Sequence, residues 1–333
     1  MKKIICILTA ALLTLCMIMP AFAAETAKTQ GGYKHVFIIG IDGAGRFIGE
    51  TDTPNFDRIF KDGAVNYKAK AEVKTDSAPN WGAILTGVSI FRTGLQNGVT
   101  DDNERKSDTE FPTVFTYLRK AMPNAELASY VNWNNINKGI IETDVGVTKV
   151  NIGDDERLTD AICEYFDAGN SPALFFVQFD SVDHEGHSYG SKAEEYFNQI
   201  KTVDGYLGRV YDSIERNGLI DDSLFIVVAD HGHMITGGHG GMTQRETQVT
   251  LAVRGKTVVK GGKMEEKTRN RDIAAMTLYA LGVERPENMT AVIPANLFTD
   301  VSGESRPFFT DILDSIISPI AWMINDITEI FGM

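Results

Sequence analysis

The chain has 333 residues, 43% hydrophobic and 23% charged, proportions of a soluble globular protein that exclude a disordered, collagen-like or coiled-coil chain. No repeat with a period of about 20–50 residues is visible. Lys plus Arg is 32 against 45 for Asp plus Glu, a net charge of −13; without residues 1–23, which hold Lys2 and Lys3 and no acid, it becomes −15. A chain this acidic repels duplex DNA, whose binding needs phosphates neutralised by Lys and Arg, so nucleic-acid binding is set aside.

The N-terminus reads Met1-Lys2-Lys3, an apolar run Ile4–Met19, then Pro20 and Ala21-Phe22-Ala23. A basic region, an apolar stretch and an A-x-A site form a cleaved secretory signal over residues 1–23. An uncleaved anchor is the rival, because Ile4–Ala24 is 21 residues and nearly spans a bilayer. The pattern predicts an exported bacterial protein (periplasmic, secreted or cell-surface) with no transmembrane span after cleavage. Cys6 and Cys16 fall in the signal, leaving Cys163, so no intrachain disulfide forms in the mature chain. The apolar periodicity around Cys163 predicts a buried core thiol.

Val36–Ile41 is a continuous apolar run, the pattern of a strand buried on both faces. Thr53-Pro54 predicts a helix start, with Thr as N-cap and Pro at the first position. Further strands are expected at Leu127–Val131, Ala173–Phe179, Leu224–Ala229 and Val249–Val253. Helices are expected at Thr113–Met122, Asp154–Ala168, Ala193–Asn217 and Arg271–Leu281. This alternation predicts an α/β fold with a mainly parallel central sheet flanked by helices, as one domain over residues 24–304. Residues 305–333 carry an apolar stripe (Phe309, Ile312, Leu313, Ile316, Ile317, Ile320, Met323) at helical spacing. They predict an amphipathic helix docked on the domain, with a partner or membrane contact as the alternative.

Such a sheet places its functional loops at the carboxyl ends of the strands. Asp42 ends the first strand, the Ala173 strand runs into Asp180, Asp183 and His187, and the Leu224 strand ends in Asp230-His231. Of six histidines, five (184, 187, 231, 233, 239) fall within 56 residues. Carboxylate with imidazole suits Zn²⁺ or Mn²⁺ better than Ca²⁺. Asp183 and His187, four apart, can share a helix face, and the glycines flanking His239 permit positive φ. Gly43–Gly49 lacks the third glycine of a dinucleotide loop, and neither a phosphate loop nor a G-x-S-x-G elbow is present. Ser77 stands just before Pro79, which can open a helix through Ile84 and Leu85. A hydroxyl there meets free N–H groups suited to an anion.

Six blocks in order carry a resemblance: Ile41-Asp42-Gly43, Thr53-Pro54-Asn55-Phe56, Ser77-Ala78-Pro79-Asn80 through Leu85-Thr86-Gly87, Asp183-His184-Glu185-Gly186-His187, Ala229-Asp230-His231-Gly232 and Gly238-His239-Gly240-Gly241. From about Val36 to Leu297 the chain resembles the alkaline phosphatase superfamily, most closely its type I phosphodiesterase/nucleotide pyrophosphatase branch. The resemblance implies two divalent cations, Zn²⁺ or alternatively Mn²⁺. Asp42, Asp230 and His231 would hold one, beside the nucleophile Ser77; Asp183, His187 and His239 would hold the other. It implies a phosphoseryl intermediate and a small-molecule phosphoester substrate, with diesters or nucleotide pyrophosphates ahead of monoesters. A phosphate-binding asparagine is expected at Asn103, with Asn97 second. Trp81 stands where a sulfatase needs Arg, which argues against sulfate esters. The branch usually has Thr as nucleophile, and Asp76-Ser77-Ala78 is similar to the monoesterases instead. Those add an arginine, for which Arg46, Arg92 and Arg105 are the candidates by nearness. A phosphomutase and a non-enzymatic surface module using the C-terminal helix are the remaining alternatives.

Overall fold

The computed structural model describes residues 31–265, 267–304 and 306. The expected signal and C-terminal helix lie outside these residues. Seven strands form one sheet: β1 (His35–Ile41), β2 (Ala64–Lys70), β3 (Leu127–Val131), β4 (Thr148–Asn151), β5 (Leu174–Phe179), β6 (Ser223–Val228) and β7 (Gln248–Arg254). Their order is β2-β7-β6-β1-β5-β3-β4, with β7 alone running against its neighbours. The mainly parallel α/β sheet expected from the apolar runs is present. All five expected strands are found, because β1, β3, β5 and β6 are buried at every position and β7 at all but its last. The periodicity did not indicate β2 and β4. Both are edge strands, exposed at Tyr67 and Lys68 in β2 and at Thr148 and Asn151 in β4, and the Lys68 charge discourages pairing of β2 with another chain.

Strand alternation sends Phe37 and Gly40 to opposite faces. Phe37 packs edge-on against Phe166 of the helix Asp155–Asp167. On the other face a Cβ at Gly40 would lie 2.4 Å from the Trp81 ring, so only glycine lets the helix Ser77–Thr86 settle on the sheet. One helical layer contains α1 (Pro54–Phe60), α5 (Asp155–Asp167), α6 (Ser181–Tyr189) and α7 (Glu194–Arg216). The other contains α2 (Ser77–Thr86), α3 (Asn97–Asp102), α4 (Val114–Ala121) and α8 (Asp272–Ala280). Replacing a fully buried ring such as Phe37 by Ala costs about 3–5 kcal/mol.

Two local expectations are corrected. Thr53 precedes Pro54 at the start of α1 but makes no capping hydrogen bond. Asp204 of α7 accepts from the Asn55 N–H at 3.0 Å and the Phe56 N–H at 2.7 Å instead. Cys163 is half-buried rather than buried, with Sγ 3.8 Å from the Arg209 carbonyl of α7. Its side chain falls at the seam between two helices, a place that apolar periodicity does not separate from the core.

Candidate metal centre

Register explains where the site is. Ile41 pairs with Phe179 and Gly40 with Val228, so the three central strands end side by side and their next residues share one edge of the sheet.

Asp42, Asp230 and His231 form a buried group whose candidate ligand atoms all lie within 4.8 Å of one another. Asp42 Oδ2 accepts from Trp81 Nε1 at 2.8 Å and Gln178 Nε2 at 2.9 Å. Asp230 Oδ1 accepts from the N–H groups of Gly43 at 3.1 Å and His231 at 2.9 Å. Each carboxylate therefore has one oxygen fixed. The other oxygens, Asp42 Oδ1 and Asp230 Oδ2, are buried and without a hydrogen-bond partner, at 3.4 Å and 3.3 Å from His231 Nε2. Burial raises both carboxyl pKa values well above the usual range, with Asp230's and Asp183's charges adding for Asp42 and Asp183's for Asp230. Burial, then His239, lowers that of His231. Two bare carboxylate oxygens converging on an imidazole nitrogen fit a divalent cation, whose charge removes the cost of burying them.

The second group is Asp183, His187 and His239, again with ligand atoms within 4.8 Å. Asp183 and His187 are four apart on α6, with Oδ2 3.4 Å from Nε2. Asp155 anchors the start of that helix by accepting from the Ser181 N–H at 2.9 Å. His239 Nδ1 faces the Thr75 carbonyl at 2.7 Å, so its proton sits there. His239 Nε2 then faces His187 Nε2 at 3.0 Å, so the two imidazole nitrogens and the Asp183 carboxylate converge on one place. Gly237, Gly238 and Gly240 have φ of 87°, 77° and 107°, which the tight loop carrying His239 requires. Thr75 Oγ1, accepting from the Gly240 N–H at 2.9 Å, pins that loop next to the nucleophile segment.

Ser77 is the first residue of α2, after N-cap Asp76, and its Oγ lies 3.1 Å from His231 Nε2. The structure thus brings together Ser77 and all six candidate ligands. Asn103 lies apart: it is exposed at the end of α3 and turns back to the Val99 carbonyl at 3.2 Å. Asn97, at the start of α3, accepts from the Ala78 N–H at 2.9 Å. Arg46 pairs with Glu50 and Gln248, Arg92 lies over Phe111, and Arg105 donates to the Phe111 carbonyl. Sequence reasoning missed Trp81 and Gln178 as holders of Asp42. Both look like core residues, and only the turn of the chain after β1 shows what they touch.

The fold and this two-cluster edge define an alkaline-phosphatase-like protein. Ectonucleotide pyrophosphatase/phosphodiesterase 5 from mouse, in an inactive form complexed with AMP, superposes with a TM-score of 0.63 at 14% identity, over 77% of this chain and 97% of that one. A 2-O GAG sulfatase superposes with a TM-score of 0.63 at 13% identity, over 78% of this chain and 73% of that one. At such identities the likeness establishes the fold. The model of the type I phosphodiesterase/nucleotide pyrophosphatase family matches residues 36–243, and the chain belongs to that family. Curated relatives include GPI ethanolamine phosphate transferase 1 of Saccharomyces cerevisiae, 27% identical over 36% of this chain and 15% of that protein. The catalytic subunit of GPI ethanolamine phosphate transferase 3 of Mus musculus is 23% identical over 53% of this chain and 16% of that protein. The matches thus span less than a fifth of these relatives' length. They correct the expected localisation: the relatives are eukaryotic proteins, at odds with a bacterial exported protein. No helix among the described residues is long and apolar enough to cross a membrane.

Proposed function

We propose that the chain is a two-metal phosphoester hydrolase that cleaves phosphodiesters or pyrophosphates through a covalent phosphoserine at Ser77. The observation that carries this reading is Ser77 Oγ at 3.1 Å from His231 Nε2, at a helix N-terminus beside a pair of bare buried carboxylate oxygens. Asp42, Asp230 and His231 would hold one cation and Asp183, His187 and His239 the other. Bound there, two divalent ions, Zn²⁺ or Mn²⁺, supply positive charge that favours the serine alkoxide and the departing oxygen.

Ser77 Oγ forms the new bond to phosphorus as the bond from phosphorus to the leaving oxygen breaks in line, and the serine proton passes through solvent to that oxygen, which departs as the alcohol. Water then attacks the phosphoserine, one of its protons returning to Ser77 Oγ and its hydroxyl oxygen staying on the released phosphate. Asn97 Oδ1 is engaged by the Ala78 N–H, leaving its amide N–H₂ to donate to a phosphate oxygen, so Asn97 rather than Asn103 takes that role. Diesters are favoured over monoesters because Arg46, Arg92 and Arg105 are engaged elsewhere and do not offer the extra cation a dianionic phosphate needs. The relatives' names favour a second reading, in which an alcohol takes the phosphoryl group from Ser77 in place of water.

The test compares kcat/KM on bis-p-nitrophenyl phosphate, p-nitrophenyl phosphate and p-nitrophenyl sulfate, with Zn²⁺ or Mn²⁺ loaded and ethanolamine present or absent. A diester preference is expected. A monoester preference overturns the diester reading, and silence on both phosphates with metals bound overturns Ser77. Phosphorus NMR showing an ethanolamine ester selects transfer over hydrolysis.

A further inference from the structure

His233 follows His231 by two residues and is fully buried, yet it belongs to neither of the two clusters described above. Its Nε2 lies 2.8 Å from Asp183 Oδ1. A nitrogen and a carboxylate oxygen at that distance share a proton. Its Nδ1 is buried and without a hydrogen-bond partner, so the proton sits on Nε2 and is donated to the carboxylate.

The ring occupies a slot that two glycines make. A Cβ at Gly186 would fall 2.3 Å from His233 Cδ2, and one at Gly43 would fall 2.7 Å from Nε2. Gly186 lies on α6 between Asp183 and His187, and Gly43 follows Asp42. The Tyr196 hydroxyl donates to the Gly43 carbonyl at 2.6 Å and steadies that wall. The imidazole is thus confined from two sides with its N–H aimed at one oxygen.

We propose that His233 is a positioning residue for Asp183: it holds Oδ1, which also lies 3.5 Å from His239 Nε2, so that Oδ2 faces His187, 3.4 Å away, and is oriented for the cation that Asp183, His187 and His239 would hold. The proposal rests on the reading that Asp183, His187 and His239 hold a metal ion. It gives Asp183 what the other two carboxylates have. Asp42 is held through one oxygen by Trp81 and Gln178, and Asp230 through one oxygen by backbone N–H groups. Asp42 and Asp230 end buried strands, but Asp183 stands on a helix at the open side of the site and needs a brace from a side chain. Outer partners of this kind typically change metal affinity by about 10–100-fold when removed. Asp183, His231 and His233 also lie close enough to form a ligand set of their own, and the test separates that role from positioning.

The experiment is a competition titration of metal-free protein with Zn²⁺ against a chromophoric chelator, with thermal melting of each metal-free variant as the folding control. His233→Gln can place an amide N–H where Nε2 stands, His233→Asn places it nearer Nδ1, and His233→Met fills the slot with no donor. In His233→Met one of two zinc equivalents should weaken about 10–100-fold, and the other should hold. His233→Gln should restore most of the loss and His233→Asn should not. Wild-type affinity in His233→Met overturns the proposal. Equal weakening in the Gln and Met variants also overturns it and makes His233 a ligand. If the Met variant does not fold, the Gln–Asn contrast decides. Asp183→Ala keeps the two readings apart: retention of both equivalents there sinks the metal assignment itself rather than the role of His233.

Discussion

The two candidate metal groups differ in how the fold holds them. In the first, side-chain exposures are 1% for Asp42 and 0% for Asp230 and His231. In the second they are 15% for Asp183, 52% for His187 and 7% for His239. The first group ends adjacent parallel strands, whose ladders fix it. The second comes from one turn of helix and a glycine-rich loop, which depend on braces such as Thr75 and Asp155. A buried, ladder-fixed set binds a cation in one geometry, whereas an open set admits substrate oxygens and releases its ion sooner.

The largest expected effect falls on the buried side. Ser77→Ala should lower kcat/KM by about 10⁴-fold with both metals retained by elemental analysis; unchanged turnover removes Ser77 from the chemistry. Next, chelator titration should strip the metals in two steps, the open group first. His187→Ala should bring the first step to lower chelator concentration and leave the second in place, while Asp230→Ala should do the reverse. A single simultaneous loss would erase the distinction between the groups.

Asn97→Ala should cost about 100-fold in kcat, and Asn103→Ala about twofold at most, because only Asn97 touches the backbone beside Ser77. Equal losses in steady-state assays would count against that choice. The smallest effect lies away from both groups, at edge strand β4. Lys149 donates to the Asn137 and Ile141 carbonyls, and burial, opposed by Glu142, lowers its pKa to about 8 from 10.5. Between those values the unfolded chain binds more protons than the folded one, so this group's contribution to stability rises with pH. Lys149→Met should flatten that rise, read as a smaller gain in Tm from pH 8 to pH 10 than in the parent protein; an identical gain would assign the rise to other groups.

Long apolar runs made the five inner strands legible, and caps and periodicity made four helices legible to within a residue or two. Helix α5, for example, begins after Asp154, whose side chain accepts from the Arg157 N–H. The edge strands were not legible, because a half-exposed strand such as β2 carries no continuous apolar signal. In the site, Asp42, Asp183, His187, Asp230, His231 and His239 stood out as acids and imidazoles at strand ends. Asn103 was expected ahead of Asn97, two residues alike in type, whereas the turn of α3 places Asn97 on the Ala78 N–H and Asn103 on the Val99 carbonyl.

The sequence by itself determined the α/β class and the residue types of the site, since burial on both faces of a strand and a cluster of carboxylates and imidazoles are both written in composition and spacing. Tertiary structure decided which oxygen of each carboxylate is fixed and which is bare. Trp81, Gln178 and the Gly43 N–H reach Asp42 and Asp230 across 39, 136 and 187 residues. A hydrogen bond closed over such distances depends on how strands and helices pack, and no local pattern in the chain records it.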